Sequence, residues 1–162
     1  MFIQIDHVSK HFAHQPVLQD IHFGVQRGHL TALLGPSGSG KTTLLRILAG
    51  LETLDSGALA IDGQDITHTP AAQRGIGFVF QNYALFEHLT VAQNIAFGLQ
   101  TQHVPAAQIA QRVSELLTLT ELTAFANQFP TQLSGGQKQR VAFARAIAPH
   151  PQVLLLDEPF AA

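Results

Sequence analysis

The most informative absences in this 162-residue chain are cysteine and charge. With no cysteine, the chain has no disulfide framework and no metal site or nucleophile that depends on a thiolate. Charged residues make up 12% of the sequence, against about 25% in average globular domains, and the formal net charge is −2. This composition excludes a protein that binds nucleic acids or membrane surfaces through bulk positive charge.

Long hydrophobic stretches are missing as well. No apolar run reaches the roughly 18 residues that a membrane-spanning helix needs, and the N-terminus lacks the basic start and apolar stretch of a signal peptide. Hydrophobic residues nevertheless form 46% of the chain, which is enough for a folded core and too many for a disordered protein. We therefore expect a cytosolic protein, and the length predicts one domain.

Hydrophobic periodicity predicts strands that alternate with helices. The predicted strands cover residues 2–8, 17–25, 30–34, 58–61, 75–80 and 153–156. The predicted helices cover about 40–51, 91–99, 105–117 and 134–148. Thr90 and Gln93 have the spacing of a capping box. The alternation predicts an α/β fold with a mainly parallel sheet, in which antiparallel strands cluster in the first sixty residues.

A glycine-rich segment follows the apolar run Leu30–Leu34, which is predicted to be a buried strand. It reads Gly35-Pro36-Ser37-Gly38-Ser39-Gly40-Lys41-Thr42-Thr43 and matches the pattern G-x-x-x-x-G-K-[ST] of a phosphate-binding P-loop. Glycines let such a loop curl so that its N–H groups point inward, and the next helix adds unpaired N–H groups at its positive end. Lys41 is predicted to contact the β and γ phosphates, and Thr42 to offer a hydroxyl to Mg²⁺. A strand before and a helix after distinguish this motif from an ordinary glycine-rich turn.

Two acidic residues end the last predicted strand, Val153–Leu156. This strand places the two acidic residues at the carboxyl edge of the sheet, which is where ligands of open α/β folds bind. Asp157 is predicted to hold hydrated Mg²⁺, and Glu158 to accept a proton from an attacking water. An Asp-Glu-Pro sequence alone is better explained as a turn, and the upstream P-loop favours the functional interpretation.

The third motif is Leu133-Ser134-Gly135-Gly136-Gln137. Ser134 and Gln137 fit a capping box, so an ordinary helix start is one explanation. A capping box does not need Gly135 and Gly136, which weaken a first helical turn but permit close approach to a phosphate. Together and in this order, the three motifs resemble those of the nucleotide-binding subunit of ABC transporters, and the resemblance covers all 162 residues.

The resemblance implies an importer ATPase, most similar to the sulfate/thiosulfate group. The implied fold is a P-loop NTPase core with a parallel sheet, an N-terminal antiparallel β subdomain and a helical subdomain at about 83–148. It implies a homodimer, arranged head to tail, that holds ATP and Mg²⁺ between the P-loop of one subunit and Ser134, Gly135 and Gly136 of the other. By the same resemblance Gln81 contacts Mg²⁺ and the attacking water. Phe12 would stack on adenine, and a core phenylalanine is its alternative.

The implied partners place the protein at a membrane. Permease subunits would contact about Asn82–Leu99, and a periplasmic or lipid-anchored solute-binding protein would act indirectly, with no nucleic-acid partner. The expected location is the cytoplasmic face of the inner or plasma membrane, reached through the permease. Two other interpretations stay open: a soluble ABC-type ATPase without a permease, and a non-catalytic fragment.

The family pattern continues beyond this sequence with a strand that ends in a histidine near the γ-phosphate. All nine histidines precede Asp157, so none matches it. By resemblance that strand lies between Leu30–Leu34 and Val153–Leu156, whose edges would otherwise be unpaired. We therefore expect a partial nucleotide-binding domain over 1–162, incomplete at its C-terminus, that aggregates and has little ATPase activity alone.

Two other groups of residues are weaker indications of function. His7, His11 and His14 are spaced 4 and 3 apart, which gathers metal ligands on a helix, but they fall in a predicted strand and loop. We therefore expect no metal site from this spacing. Basic residues of the last helix are expected on its solvated face: Lys138, Arg140 and Arg145.

Overall fold

The structure of the protein is a computed structural model that describes residues 1–159. Its strands and α-helices follow in the order β1 (Ile3–Phe12), β2 (Gln15–Val25), α1 (Lys41–Ala49), β3 (Ser56–Ile61), β4 (Gln64–Asp65), β5 (Ile76–Val79), α2 (Val91–Thr101), α3 (Ala106–Leu119), α4 (Gly135–Ile147) and β6 (Val153–Leu156). The chain divides into two compact units, Met1–Arg74 and Gly75–Ala162. No helix among the described residues is long and apolar enough to cross a membrane.

The first unit is built on an antiparallel sheet with the strand order β2-β1-β3-β4. Ile3 and Ile5 are buried in alternation along β1, as expected for a sheet with one covered face, and Val8 is buried after the alternation is interrupted at Asp6 and His7. Helix α1 buries Leu44 and Ile47 on its apolar side. The predicted antiparallel pairing of the first strands is thereby confirmed.

An arginine that sequence patterns did not single out contacts the carboxyl end of α1. Gly50 follows the helix with φ 75°, a left-handed conformation that favours glycine. The buried Arg74 guanidinium donates hydrogen bonds to the Ile47 and Leu48 carbonyl oxygens at 2.8 and 2.9 Å. A cation at this end complements the helix dipole, so Arg74 stabilises the helix that follows the P-loop.

The prediction of a buried strand at Leu30–Leu34 is wrong. The segment has no regular secondary structure, and Leu30 and Leu34 are 96% and 92% exposed. An apolar run forms a buried strand only where neighbouring strands take up its N–H and C=O groups. None of the described strands pairs with this segment, so parallel pairing in residues 1–159 is limited to β5 and β6.

The described part of the second unit combines this parallel pair with three α-helices. β5 and β6 pair in register from Ile76 opposite Val153 to Val79 opposite Leu156. Side chains of α2, α3 and α4 share one core, whose fully buried members include Val91, Ile95, Leu116, Leu122 and Val141. Both predicted capping boxes are confirmed: Thr90 caps α2 with Gln93, and Ser134 caps α4 with Gln137.

Arg145 does not belong to a solvated helix face as expected. Its guanidinium donates to the Tyr83 and Ala84 carbonyl oxygens at 2.9 and 2.7 Å, and it lies 5.4 Å from the centre of the Phe86 ring. Burial lowers the pKa of Arg145. The side chain therefore pins the loop after β5 to α4, a long-range contact that helical periodicity does not reveal.

Candidate nucleotide-binding site

The P-loop segment is curled, as its glycines predict. Gly38 and Gly40 have φ values of 80° and 89°, and the Ser39 N–H donates to the Pro36 carbonyl oxygen at 3.3 Å. A Cβ atom at Gly40 would lie 2.8 Å from the Val17 carbonyl oxygen. Both the backbone angle and the close approach of β2 therefore require glycine at position 40.

The amino end of α1 presents unpaired donors next to this loop. Gly40 is the N-cap residue, and no side chain caps the helix. In the described part of the chain, the N–H groups of Gly40 and Lys41 donate to no acceptor. Thr42 and Thr43 lie in the same first turn. Free N–H groups and the positive end of the helix dipole suit an anion.

Lys41 adds a positive charge to the loop. Its Nζ donates to the Gly35 and Pro36 carbonyl oxygens at 2.9 and 2.8 Å, and lies 3.4 Å from the Ser39 hydroxyl oxygen. These bonds hold the ammonium group against the loop. A cation, free backbone donors and a curled glycine loop together fit a polyphosphate.

The second unit brings together residues that lie far apart in sequence. Because β5 and β6 are parallel and in register, their carboxyl ends meet at one edge of the sheet. Gln81 follows β5 and donates from Nε2 to Glu158 Oε2 at 2.6 Å. Asp157 follows β6, is 4% exposed, and its N–H donates to the Val79 carbonyl oxygen at 3.0 Å. An amide, a buried carboxylate and an exposed carboxylate thus cluster here.

The start of α4 is a capped helix start in which no other described residue packs against the two glycines. The Ser134 hydroxyl accepts from the Gln137 N–H at 3.3 Å, and the Gln137 side chain accepts from the Ser134 N–H at 2.8 Å. A Cβ atom at Gly135 or Gly136 would meet no atom within 4 Å. Packing within the described chain therefore does not explain why glycine occupies these two positions.

Phe12 lies at the end of β1 and is 46% exposed. Exposure excludes the alternative of a core phenylalanine. The Lys10 ammonium group lies 5.2 Å from the centre of its ring, which is within the range of a cation–π contact. The ring thus keeps a surface on which another planar group can stack.

Comparison with solved structures identifies the class of protein. The chain is similar to the dimeric ATP-binding cassette MJ0796, solved in a post-hydrolysis state bound to ADP and Pi. The TM-score is 0.88 and the identity 32%, with 99% of this chain and 75% of that chain covered. The fold is thus that of an ABC ATPase domain, which confirms the predicted α/β class.

Comparison with protein families makes this assignment specific. The sequence model of the ABC transporter family matches residues 18–161, and the chain belongs to this family. It is 59% identical to the sulfate/thiosulfate import ATP-binding protein CysA of Gloeobacter violaceus over 162 residues, which are 100% of this chain and 47% of that protein. The protein of the same name in Bacillus cereus is 54% identical over 166 residues, and the match covers 46% of it. The chain therefore spans about half the length of these curated relatives.

Proposed function

We propose that this chain is the ATP-binding and ATP-hydrolysing part of an importer's ABC subunit. The P-loop carries the proposal, because a curled glycine loop, an uncapped helix start and Lys41 converge within Gly35–Thr43. The names of the related proteins support ATP as the nucleotide and import as the direction.

The first unit would bind the nucleotide. Backbone N–H groups of Gly35–Thr43 and the Lys41 ammonium group would bind the β and γ phosphates. The Thr42 hydroxyl would be a ligand of Mg²⁺, which neutralises charge on the transferred phosphoryl group, and the Asp157 carboxylate is likewise proposed as an Mg²⁺ ligand. The exposed ring of Phe12 would stack on the adenine base.

The second unit supplies the base. The Gln81 amide holds Glu158 Oε2 at 2.6 Å, which orients the carboxylate and leaves its other oxygen for a water. Glu158 would accept a proton from that water. Gln81 would position the same water and contact Mg²⁺ through its carbonyl oxygen.

The capped start of α4 would complete the site of a second copy. Among the described residues, the N–H groups of Gly135 and Gly136 have no acceptor, and the space around both glycines is open, which suits contact with a phosphate from outside the subunit. A head-to-tail homodimer would therefore hold ATP between the P-loop of one copy and Ser134–Gln137 of the other.

The segment Asn82–Leu99 is the proposed surface for the permease. Phe86 and Phe97 pack against each other in a tilted arrangement with their ring centres 4.4 Å apart, and Phe97 is 39% exposed. The buried Asn94 side chain accepts from the Phe86 N–H and donates to the Phe86, Leu89 and Thr90 carbonyl oxygens. A rigid, partly aromatic surface of this kind suits a docking helix.

The transported substrate is proposed from the names of the related proteins, as sulfate or thiosulfate. A solute-binding protein would deliver the anion to the permease, and this chain would act at the cytoplasmic face of the membrane. Loss of radiolabelled sulfate uptake on deletion of the gene is the expected result. Unchanged uptake would remove the substrate assignment and leave the ATPase assignment standing.

Nucleotide binding is tested by equilibrium dialysis of radiolabelled ATP with Mg²⁺. Lys41→Ala should weaken binding by roughly 10- to 150-fold, because a hydrogen bond to a charged group contributes about 1.5–3 kcal/mol. Arg46→Ala removes an exposed positive charge from the same helix and should leave binding unchanged. Equal affinities for the two variants would overturn the proposed function.

Hydrolysis is tested separately with Glu158→Gln, which keeps the shape of the side chain and removes the base, in a chain extended to the full length of the curated relatives, because residues 1–162 alone are expected to have little ATPase activity. We expect retained ATP binding, no phosphate release and an ATP-dependent dimer in analytical ultracentrifugation. Phosphate release equal to that of the parent chain would show that another group accepts the proton.

A further inference from the structure

The first unit contains a second cluster of chemically reactive side chains, on the face of β1 and β2. Asp6, His7 and His22 each offer one ligand atom, and these three atoms lie within 4.8 Å of one another. His22 Nδ1 is 2.9 Å from Asp6 Oδ1, and His7 Nε2 is 3.9 Å from the same oxygen. All three side chains are about 60% exposed, so a solute can reach them.

A β-bulge brings these residues to one side of the sheet. Neighbouring residues of a regular strand point to opposite faces, so Asp6 and His7 would normally be separated. Ile5 pairs with Phe23 and Val8 with Ile21, which leaves Asp6 and His7 both opposite His22. His7 adopts φ 49°, the left-handed conformation of a bulge residue.

A second bulge follows on β2. Ser9 lies opposite two residues of β2, one of which is Asp20 with φ 51°. The Asp20 N–H donates to the Ser9 hydroxyl at 3.0 Å, which fixes this turn of the backbone. A left-handed conformation costs a non-glycine residue roughly 1–2 kcal/mol, and such strain clusters at functional sites.

The two bulges place the Asp20 carboxylate next to Nδ1 of His7, on the opposite side of the ring from Asp6. Asp20 Oδ1 lies 2.5 Å from His7 Nδ1, so Nδ1–H is the donor and the lone pair of the neutral ring is on Nε2, the atom near Asp6. The His7 and His22 rings stack with centres 4.9 Å apart. Metal-binding histidines usually donate their second N–H to a carboxylate in this way.

We propose that Asp6, His7 and His22 bind a divalent transition metal ion of the zinc type, with Asp20 as the positioning residue. Two imidazoles and one carboxylate are donors that suit Zn²⁺, whereas Mg²⁺ and Ca²⁺ prefer oxygen ligands alone. Bonds of about 2.0–2.2 Å in a tetrahedral site place ligand atoms roughly 3.3–3.6 Å apart. The two distances to Asp6, 2.9 and 3.9 Å, bracket this spacing, and the two histidine ligand atoms lie within 4.8 Å of each other, so rotation of the exposed side chains would have to bring the histidine nitrogens closer together.

The histidine spacing in the sequence did not indicate this site. His7 and His11 belong to the same strand but have different partners: His7 Nδ1 is 2.5 Å from Asp20, and His11 Nδ1 is 3.1 Å from Asp55. His22 comes from the neighbouring strand. A bound ion would join β1 to β2 across the bulge, so it would stabilise the first unit against unfolding.

The test is Zn²⁺ titration of the chain above neutral pH, without nucleotide and with excess Mg²⁺ to occupy oxygen-only sites. We expect one high-affinity Zn²⁺ per chain, visible absorption bands of tetrahedral geometry with Co²⁺, and a higher Tm with Zn²⁺. His7→Asn and His22→Gln should each weaken binding more than tenfold, and Asp20→Asn about tenfold. Asparagine at position 7 tolerates the left-handed backbone, so the bulge persists.

His14→Gln is the matched control, because it removes an exposed histidine from the loop that joins the same two strands. It should bind Zn²⁺ like the parent chain. Equal Zn²⁺ affinity of the parent, His7→Asn and His22→Gln, or no binding by the parent, would refute the site and leave Asp6, His7 and His22 as a surface ion-pair cluster. Circular dichroism of each variant confirms that the sheet is intact.

Discussion

Replacing Gly136 with alanine can show whether the first turn of α4 only starts a helix or also contacts a phosphate held by a second copy. The residue lies in the first turn of the helix, without a left-handed φ, and an added methyl group would meet nothing within 4 Å. Alanine is about 0.8–1.0 kcal/mol more favourable than glycine inside a helix. If the segment is only a helix start, Gly136→Ala should therefore be harmless or stabilising.

The proposed contact with a second copy predicts the opposite for function. Backbone N–H groups that approach a phosphate leave no room for a methyl group. We expect Gly136→Ala to raise the free energy of unfolding by up to about 1 kcal/mol, or the Tm by about 2–4 °C, while ATP-dependent dimer formation is lost. Thermal melting followed by circular dichroism measures the first effect. Ultracentrifugation of the Glu158→Gln variant, with and without Gly136→Ala, measures the second.

Gly98→Ala provides the control, since Gly98 lies inside α2 and its added methyl group would be 3.1 Å from a Pro149 side-chain carbon. This substitution raises helix propensity in the same way, but crowding against Pro149 opposes that gain; it should leave dimer formation intact. If Gly136→Ala dimerises with ATP like the parent chain, the glycines of α4 have no role in a partner's site. A lower Tm would instead contradict the open space around position 136.

Three further predictions concern stability and solubility. The Lys10 ammonium group lies 2.9 Å from Glu52, and its hydrogen bond lowers the pKa of the Glu52 carboxyl below its usual 4.5. The stability that the ionised Glu52 contributes is therefore complete above the usual pKa, and it is lost as the pH falls through the pKa of the folded state. Urea unfolding of Glu52→Gln should accordingly depend less on pH than that of the parent chain, from about pH 5 downward. The double variant Leu30→Ser and Leu34→Ser should reduce aggregation in light scattering with less than about 0.5 kcal/mol change in stability, since both side chains are almost fully exposed; a larger loss would mean that they are packed. Arg145→Leu should destabilise the chain by about 2–3 kcal/mol in urea unfolding, because two carbonyl oxygens lose a charged donor, and an unchanged midpoint would contradict its pinning role.

The sequence alone was sufficient to predict those features that depend on residues close together in the chain. The pattern Gly35–Thr43 predicts a curled loop before a helix, because glycine conformations and the helix start are local properties. Both capping boxes depend on residues three positions apart, and both form. The predicted strand before Asp157 also forms, although it depends on its distant parallel partner β5. Membership of the ABC transporter family follows from the same motifs.

The tertiary structure decided what depends on distant partners. Leu30–Leu34 is an apolar run like β6 but forms no strand, because no described strand satisfies its backbone groups. The Gln81–Glu158 hydrogen bond joins residues 77 positions apart and arises only from the register of β5 and β6. His7 and His22 meet because a bulge turns two consecutive side chains to one face, and composition and periodicity contain no signal for such a bulge.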